Sequence, residues 1–186
     1  MLLLIAGLCL FLGTHLLPEI GLRERLITHL GTGPYKLYYS LLSLAGLGLI
    51  VIGKSSAPFI QIWQPVYEWR VVTHYLMLPA IILVAAGNLP MSILRQHLRH
   101  PMLLGVALWG AAHLWANGDL ASILIFGSFT LWAVIKIVSL LQRSPAVPVR
   151  GAFTWDLIAI IIVGLPVYFL IAVYHGQLFG IGLTFD

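Results

Sequence analysis

Seven histidines stand among only sixteen formally charged side chains, 10 Lys and Arg with 6 Asp and Glu. Four of them, His15, His74, His113 and His175, fall in or at the edge of long apolar runs. An ionisable group inside a bilayer is costly and marks a functional site by default, although any single one can equally be a neutral hydrogen-bonding residue. The only cysteine, Cys9, excludes an intramolecular disulfide and a zinc site built on several thiolates. In its apolar run it is expected to be a small buried hydrophobe. Glu19, Glu68, Asp119 and Asp156 are scattered at helix ends, and the two aspartates suit a first helical turn. With no thiolate or carboxylate cluster beside them, the imidazoles suit a haem iron better than zinc. An apolar, aromatic-rich bundle also offers the slot that a macrocycle needs. The sequence carries no Walker loop, GxGxxG, GxSxG or HExxH pattern.

The densest stretch runs from Arg99-His100-Pro101 to Gly105, then through Trp109, His113 and Trp115 to Asn117-Gly118-Asp119. His100 precedes a proline and is pushed toward extended backbone, while Pro101 can open a helix. Arg99 and His100 thus sit at a helix N-terminus, a place for an anionic group such as a haem propionate or a lipid head group, or else a plain basic flank. His113 lies twelve residues into that helix, one turn after Trp109.

The elements that hold these residues follow from composition. Charged residues are 9% of the 186-residue chain and apolar ones 60%, against roughly 25% charged in a soluble protein; mean hydropathy is +1.00. A soluble globule, a disordered chain and a nucleic-acid binder are excluded. Six runs are long and apolar enough to be membrane helices: Met1 to about Leu17, about Tyr35 to Gly53, Val72 to Leu89, Pro101 to about Ala116, Leu120 to Leu141, and about Trp155 to Tyr174. The first lacks the basic start and small-residue cleavage site of a signal peptide and is read as retained. The fourth and fifth form a hairpin about Asn117-Gly118-Asp119. Arg23, Arg25, Lys36, Arg95, Arg99, Lys136, Arg143 and Arg150 fall on one side of this arrangement, and only Lys54 and Arg70 on the other. The basic side is cytoplasmic by the positive-inside rule, which places both termini outside, and Lys136 is expected to snorkel toward it. Leu22–Leu30 has the apolar spacing of an amphipathic interfacial helix, with Arg23, Glu24 and Arg25 solvated. Trp63, Pro65, Tyr67 and Trp69 between the second and third runs read as an interfacial aromatic belt. The expected fold is therefore all-α, a single domain over residues 1–186 forming a polytopic bundle of about six transmembrane helices in contact with lipid.

The segment RHPMLLGVALWGAAHLWANGDLAS resembles the signature of the NnrU family of bacterial membrane proteins. The opening GLCLFLGTHLLPEIGLRERL and the following LGTGPYKLYYSLLSLAGLGLIVIG, with Ala57, Trp63 and Pro65, resemble it too. The family name comes from genes of nitrite and nitric oxide reduction, which implies a link to denitrification. The same two motifs are similar to 15-cis-zeta-carotene isomerase, a haem b enzyme with one axial histidine in each motif. Carried over, the iron ligands are His15 and His113. His74, nearer to His113 in depth, is the reserve ligand; on the haem reading Trp109 and Trp115 would wall the pocket, and Arg99 and His100 would bind a propionate or a head group. Gly110 stands where the isomerase has a cysteine, so its ligand exchange is not carried over. By helical rise His113 lies about 18 Å from the inner face and His15 about 5 Å; a tilted haem, or a first helix running on to Leu22, reconciles the two. Arg99 to Gly105 also resembles the S-adenosylmethionine motif of isoprenylcysteine and phospholipid methyltransferases, whose downstream acidic pair is absent here. The resemblance implies a haem b protein of redox metabolism, or an isomerase of a lipophilic small molecule. The alternatives are an assembly or maturation factor for reductases, without chemistry of its own, and a methyltransferase. Other membrane redox proteins are the implied protein partners.

Overall fold

The computed structural model describes residues 1–66, 68, 70–89, 93–143 and 154–179. Tyr67, Trp69 and Arg150 lie outside them, as does the side chain of Asp156. The described residues form eight helices: α1 Leu2–Leu16, α2 Leu22–Leu30, α3 Thr32–Ser55, α4 Arg70–Asn88, α5 Ile93–Leu98, α6 Pro101–Ala116, α7 Leu120–Arg143 and α8 Thr154–Phe179. No strand occurs among them, only an isolated bridge between Gln61 and Asp119. Each of the six apolar runs is a helix. Those in α3, α4, α7 and α8 are long and apolar enough to cross a membrane, while α1 and α6 are apolar but shorter. Four such helices make the chain a multi-pass membrane protein. Its outer surface agrees: Leu44, Val173 and Phe169 are each more than half exposed, which suits hydrocarbon and not water.

The boundaries have local causes. α1 stops at Leu16 and the chain turns through Pro18 to Gly21, so the first helix does not run on to Leu22. Gly21 at φ +70 and Gly31 at φ +83 bracket α2 and break it from its neighbours. The α2 bounds are those expected from its amphipathic spacing, and Arg23 and Glu24 are exposed. Pro79 and Pro166 sit inside α4 and α8, where neighbouring helices can satisfy the carbonyls that a proline frees.

The helices pack side by side in the order α3, α1, α7, α6, α4, α8. Apolar helices that follow one another in the sequence run in opposite directions, while α1 and α7 lie parallel. Thr73 at the start of α4 donates to the Ala112 carbonyl near the end of α6 at 3.1 Å, and Gly87 at the end of α4 meets Met102 at the start of α6. One end of the bundle thus carries Glu19, Arg99 and Arg143, and the opposite end Lys54, Asp119 and Thr73. Close seams are made by glycine. A Cβ on Gly7 would stand 2.6 Å from the Ile50 nitrogen, and one on Gly46 2.8 Å from the Phe11 nitrogen, so α1 and α3 touch backbone to backbone. Leu4, Leu8, Ile50, Ala121 and Ile125 form the core where α1 and α3 meet α7. Cys9, expected to be buried, faces outward instead; in lipid an apolar residue gains little by turning inward.

At the Asp119 end, the α6–α7 turn forms the expected hairpin and is stitched to the loop before α4. Ile62 and Trp63 donate to the Gly118 carbonyl at 2.8 and 3.2 Å, and Leu120 donates to Ile60. Gly118 packs against the Trp63 carbonyl too closely for any side chain.

Candidate functional site

His15 ends α1 and His113 lies in the last turn of α6. Each ring is held by the carbonyl one turn earlier: His15 Nδ1 bonds Phe11 O at 2.7 Å, and His113 Nδ1 bonds Trp109 O at 2.9 Å. A carbonyl only accepts, so in each ring Nδ1 carries the proton and, when the ring is neutral, Nε2 keeps the lone pair. Among the described residues neither Nε2 makes a hydrogen bond. The same local geometry therefore prepares both imidazoles to ligate through Nε2.

The two rings belong to one aromatic series. His15 stacks on Phe11 at 4.2 Å, Phe11 meets Phe129 at 5.5 Å, Phe129 meets Trp109 at 5.8 Å, and Trp109 meets His113 at 5.3 Å. They rest at different levels of α7. His15 packs edge-on to Trp132, and His113 stacks on Phe126 at 4.5 Å; the six-residue offset between those α7 partners spans about 9 Å of helix. Trp109 lies between the imidazoles in this series, and Trp115 is 50% exposed. His74 lies on α4 beside Thr73, whose hydroxyl bonds the Ala112 carbonyl of α6 at 3.1 Å, and Tyr168 of α8 donates to the His74 carbonyl. No group of three metal-ligating side chains is disposed to hold an ion among the described residues.

A cleft of 340 Å³ opens at the Glu19 end. It brings His15 together with Arg99 and His100, and adds Tyr39, Arg95, Trp132 and Lys136, which sequence reasoning had not joined to them; His113 and Trp109 lie outside its lining. Pro101 opens α6 as expected, with His100 before it at φ −130. Arg99 is the one non-glycine residue at positive φ among those described, +60, and the His100 N–H closes a turn across it onto Leu98 O at 2.6 Å. A bulky residue held there costs on the order of 1 kcal/mol. Burial, and then the charges of Arg99 and Arg95, hold the His100 imidazole below its ordinary pKa.

Lys136 finds a counter-ion at this end of α7. Its ammonium meets the Glu19 carboxylate at 2.5 Å, with side chains 15% and 9% exposed. Ser139 donates to the same carboxylate, and Arg143 reaches it at 3.4 Å while donating to the Pro18 and Glu19 carbonyls. The turn after α1 is thereby clamped to the end of α7, four residues beyond His15. A lysine in the middle of an apolar helix signals a counter-ion, but nothing in the sequence says which carboxylate supplies it. At the other end Asp119 accepts from the Ser122 N–H at 3.0 Å, capping α7, and pairs with Lys54 at 2.8 Å.

Burial pushes both carboxyls up. At Glu19 the hydrogen bonds from Lys136 and Ser139 and the charges of Lys136 and Arg143 outweigh it; at Asp119 those of Lys54 and Ser122 do. Both are held below the usual carboxylate range. A depressed folded pKa gives stability that is present above the unfolded pKa, near ~4, and is lost as pH falls through the folded value. The thermal midpoint in detergent is accordingly expected to hold from neutrality to about pH 5 and to fall below about pH 4. Removing both pairs, in Glu19→Gln/Lys136→Met with Asp119→Asn, should flatten that fall.

A family profile described as NnrU protein matches residues 3–183 of this chain. No curated protein and no solved structure matches it.

Proposed function

Since the chain belongs to the NnrU family, we propose that it is a bacterial inner-membrane protein of six spans, with both termini outside, that binds haem b through His15 and His113. The observation that carries this reading is the matched pair of tautomers: both imidazoles spend Nδ1 on a backbone carbonyl and keep Nε2 for a ligand. Two further features fit the group. The interval between the rings is apolar and aromatic, and the cleft beside His15 holds Arg99 and His100 for a propionate. Phe11, Phe129 and Trp109 fill the interval between the two imidazoles in series, so haem held by both would require those rings to be displaced.

Haem b supplies a one-electron iron centre, suited to nitrogen-oxide metabolism or to isomerising an apolar substrate. The chain's own residues do the rest. The carbonyls of Phe11 and Trp109 fix ligand orientation, the α7 aromatics keep water from the slot, and the clamp at Glu19 holds the end of α1 that bears His15. The topology is supported by the alternating helices, which gather Lys36, Arg95, Arg99, Lys136 and Arg143 at one end and Lys54 and Arg70 at the other.

Titration of the purified apoprotein with hemin tests the reading. A Soret band should grow to saturation in the wild type and in His74→Ala, and should fail to saturate in His15→Ala and in His113→Ala. Saturation in both single variants overturns the ligand pair, and loss in His74→Ala moves the second ligand to α4.

A further inference from the structure

Two side chains that line the cleft at the Glu19 end carry unpaired polar atoms. Trp132 of α7 is only 8% exposed and its Nε1 has no hydrogen-bond partner; His100, just before α6, has its Nε2 buried without one. An unanswered buried polar atom costs free energy that a suitable ligand returns. Indole N–H donates and never accepts, so the partner missing at Trp132 is an acceptor. An imidazole Nε2 donates or accepts according to its tautomer, and serves a carbonyl or a hydroxyl. The rest of the lining used here is flat or aliphatic: the rings of His15 and Tyr39, with Leu103 and Leu140. His15 packs edge-on to Trp132 at 5.8 Å and meets the Tyr39 ring at 5.2 Å. Lys136 is already answered by Glu19. The recognition left open is that of a neutral acceptor, and it asks nothing of Arg95 or Arg99. Met102 lines the cleft and is exposed on the bundle surface, which leaves a way out for an apolar tail. The volume of 340 Å³ lies within the roughly 300–1,000 Å³ of small-molecule sites.

We infer that this cleft binds the ring of a membrane quinone, one carbonyl oxygen accepting from Trp132 Nε1 and the other facing His100 Nε2, with the tail leaving past Met102. A quinone is neutral, flat and lipid-soluble. Its two oxygens stand at opposite ends of a rigid ring, so one ligand serves polar atoms on two different elements. The oxygen accepts in quinone and quinol alike, so Trp132 is satisfied in either state, while a quinol hydroxyl donates to His100 Nε2 in the tautomer that keeps its lone pair there. An ester lipid brings carbonyls but no ring to set against the faces of Tyr39 and His15. This goes beyond the haem reading and does not rest on it.

Binding of decylubiquinone to the haem-free protein in detergent tests it. The wild-type thermal midpoint should rise with quinone concentration, as for any ligand of the folded state, and quinone measured by absorbance after gel filtration should exceed that carried by empty micelles. Trp132→Phe keeps an aromatic ring and removes the N–H, which makes no hydrogen bond in the empty protein. Its quinone dissociation constant should be about fivefold weaker or more, compared well below the midpoint that it shows without quinone. His100→Leu, at a partly exposed position, should weaken binding by a similar factor and carries the test if Trp132→Phe does not fold. Trp63→Phe removes an indole N–H at the opposite end and should bind as the wild type does. Equal affinity in the wild type, Trp132→Phe and His100→Leu overturns the proposal, and so does an equal loss in Trp63→Phe. Equal retention of dioleoylglycerol, which has ester carbonyls and no ring, overturns it too and makes the site one for an ester lipid. A protein that binds decylubiquinone but shows no Soret band with hemin supports the quinone site and fails only the haem reading; a Soret band without quinone binding does the reverse.

Discussion

Lys136→Met is expected to destabilise the fold by about 3 kcal/mol, because it leaves the Glu19 carboxylate 9% exposed without its closest cation. Breaking a buried pair costs more than the pair contributes, since the surviving charge has lost both water and partner. Arg143 at 3.4 Å and Ser139 remain on Glu19 and keep the loss at the low end of the ~3–5 kcal/mol seen for such breaks. The double variant Lys136→Met/Glu19→Gln removes the orphaned charge and should recover most of the loss. The readout is the unfolding midpoint followed by intrinsic fluorescence in detergent. A single variant as stable as wild type would mean that Glu19 is solvated and that the clamp on α1 contributes nothing.

Gly46→Leu is expected to be at least as damaging, by a different route. The new Cβ would meet the backbone nitrogen and Cα of Phe11 at 2.8 and 3.0 Å, atoms that cannot rotate away. Either α1 and α3 part or the helix shifts, and overpacking of this kind costs roughly 1–3 kcal/mol or more. Because Phe11 holds the His15 ring through its carbonyl and its own ring, the same change should also weaken hemin binding. Gly48→Ala on the same helix meets no atom within 4 Å and should be neutral or slightly stabilising, by the helix propensity of alanine. Thermal midpoints of the two variants decide it; equal values would contradict the close α1–α3 seam.

The pattern of helices was legible because apolar runs of this length have few other readings. The breaks at Gly21, Gly31, Pro101 and Asn117-Gly118-Asp119 are punctuated by residues that helices avoid or begin with. The amphipathic α2 was legible for the same reason. What was not legible depends on tertiary contact. Glu19 and Lys136 are 117 residues apart, and each alone reads as an ordinary helix-end acid or a snorkelling lysine. The exposure of Cys9 follows from which face of α1 meets α3 and α7, set by Gly7 and Gly46 and not by Cys9 itself. The cleft needs Tyr39, Arg95 and Lys136 from three helices, so the sequence disclosed only its Arg99-His100 corner. The imidazoles stood out by type and depth, but their shared tautomer appears only once Phe11 and Trp109 are seen one turn before each.

Ligation of one haem b by His15 and His113 is read from the haem content and electron paramagnetic resonance spectrum of the wild-type protein purified from haem-replete cells. Close to one haem per chain is expected, with the low-spin ferric signal of two imidazole ligands, turned to high spin by His113→Ala. A colourless wild-type preparation, or a low-spin signal that survives the loss of both His15 and His113, would contradict it.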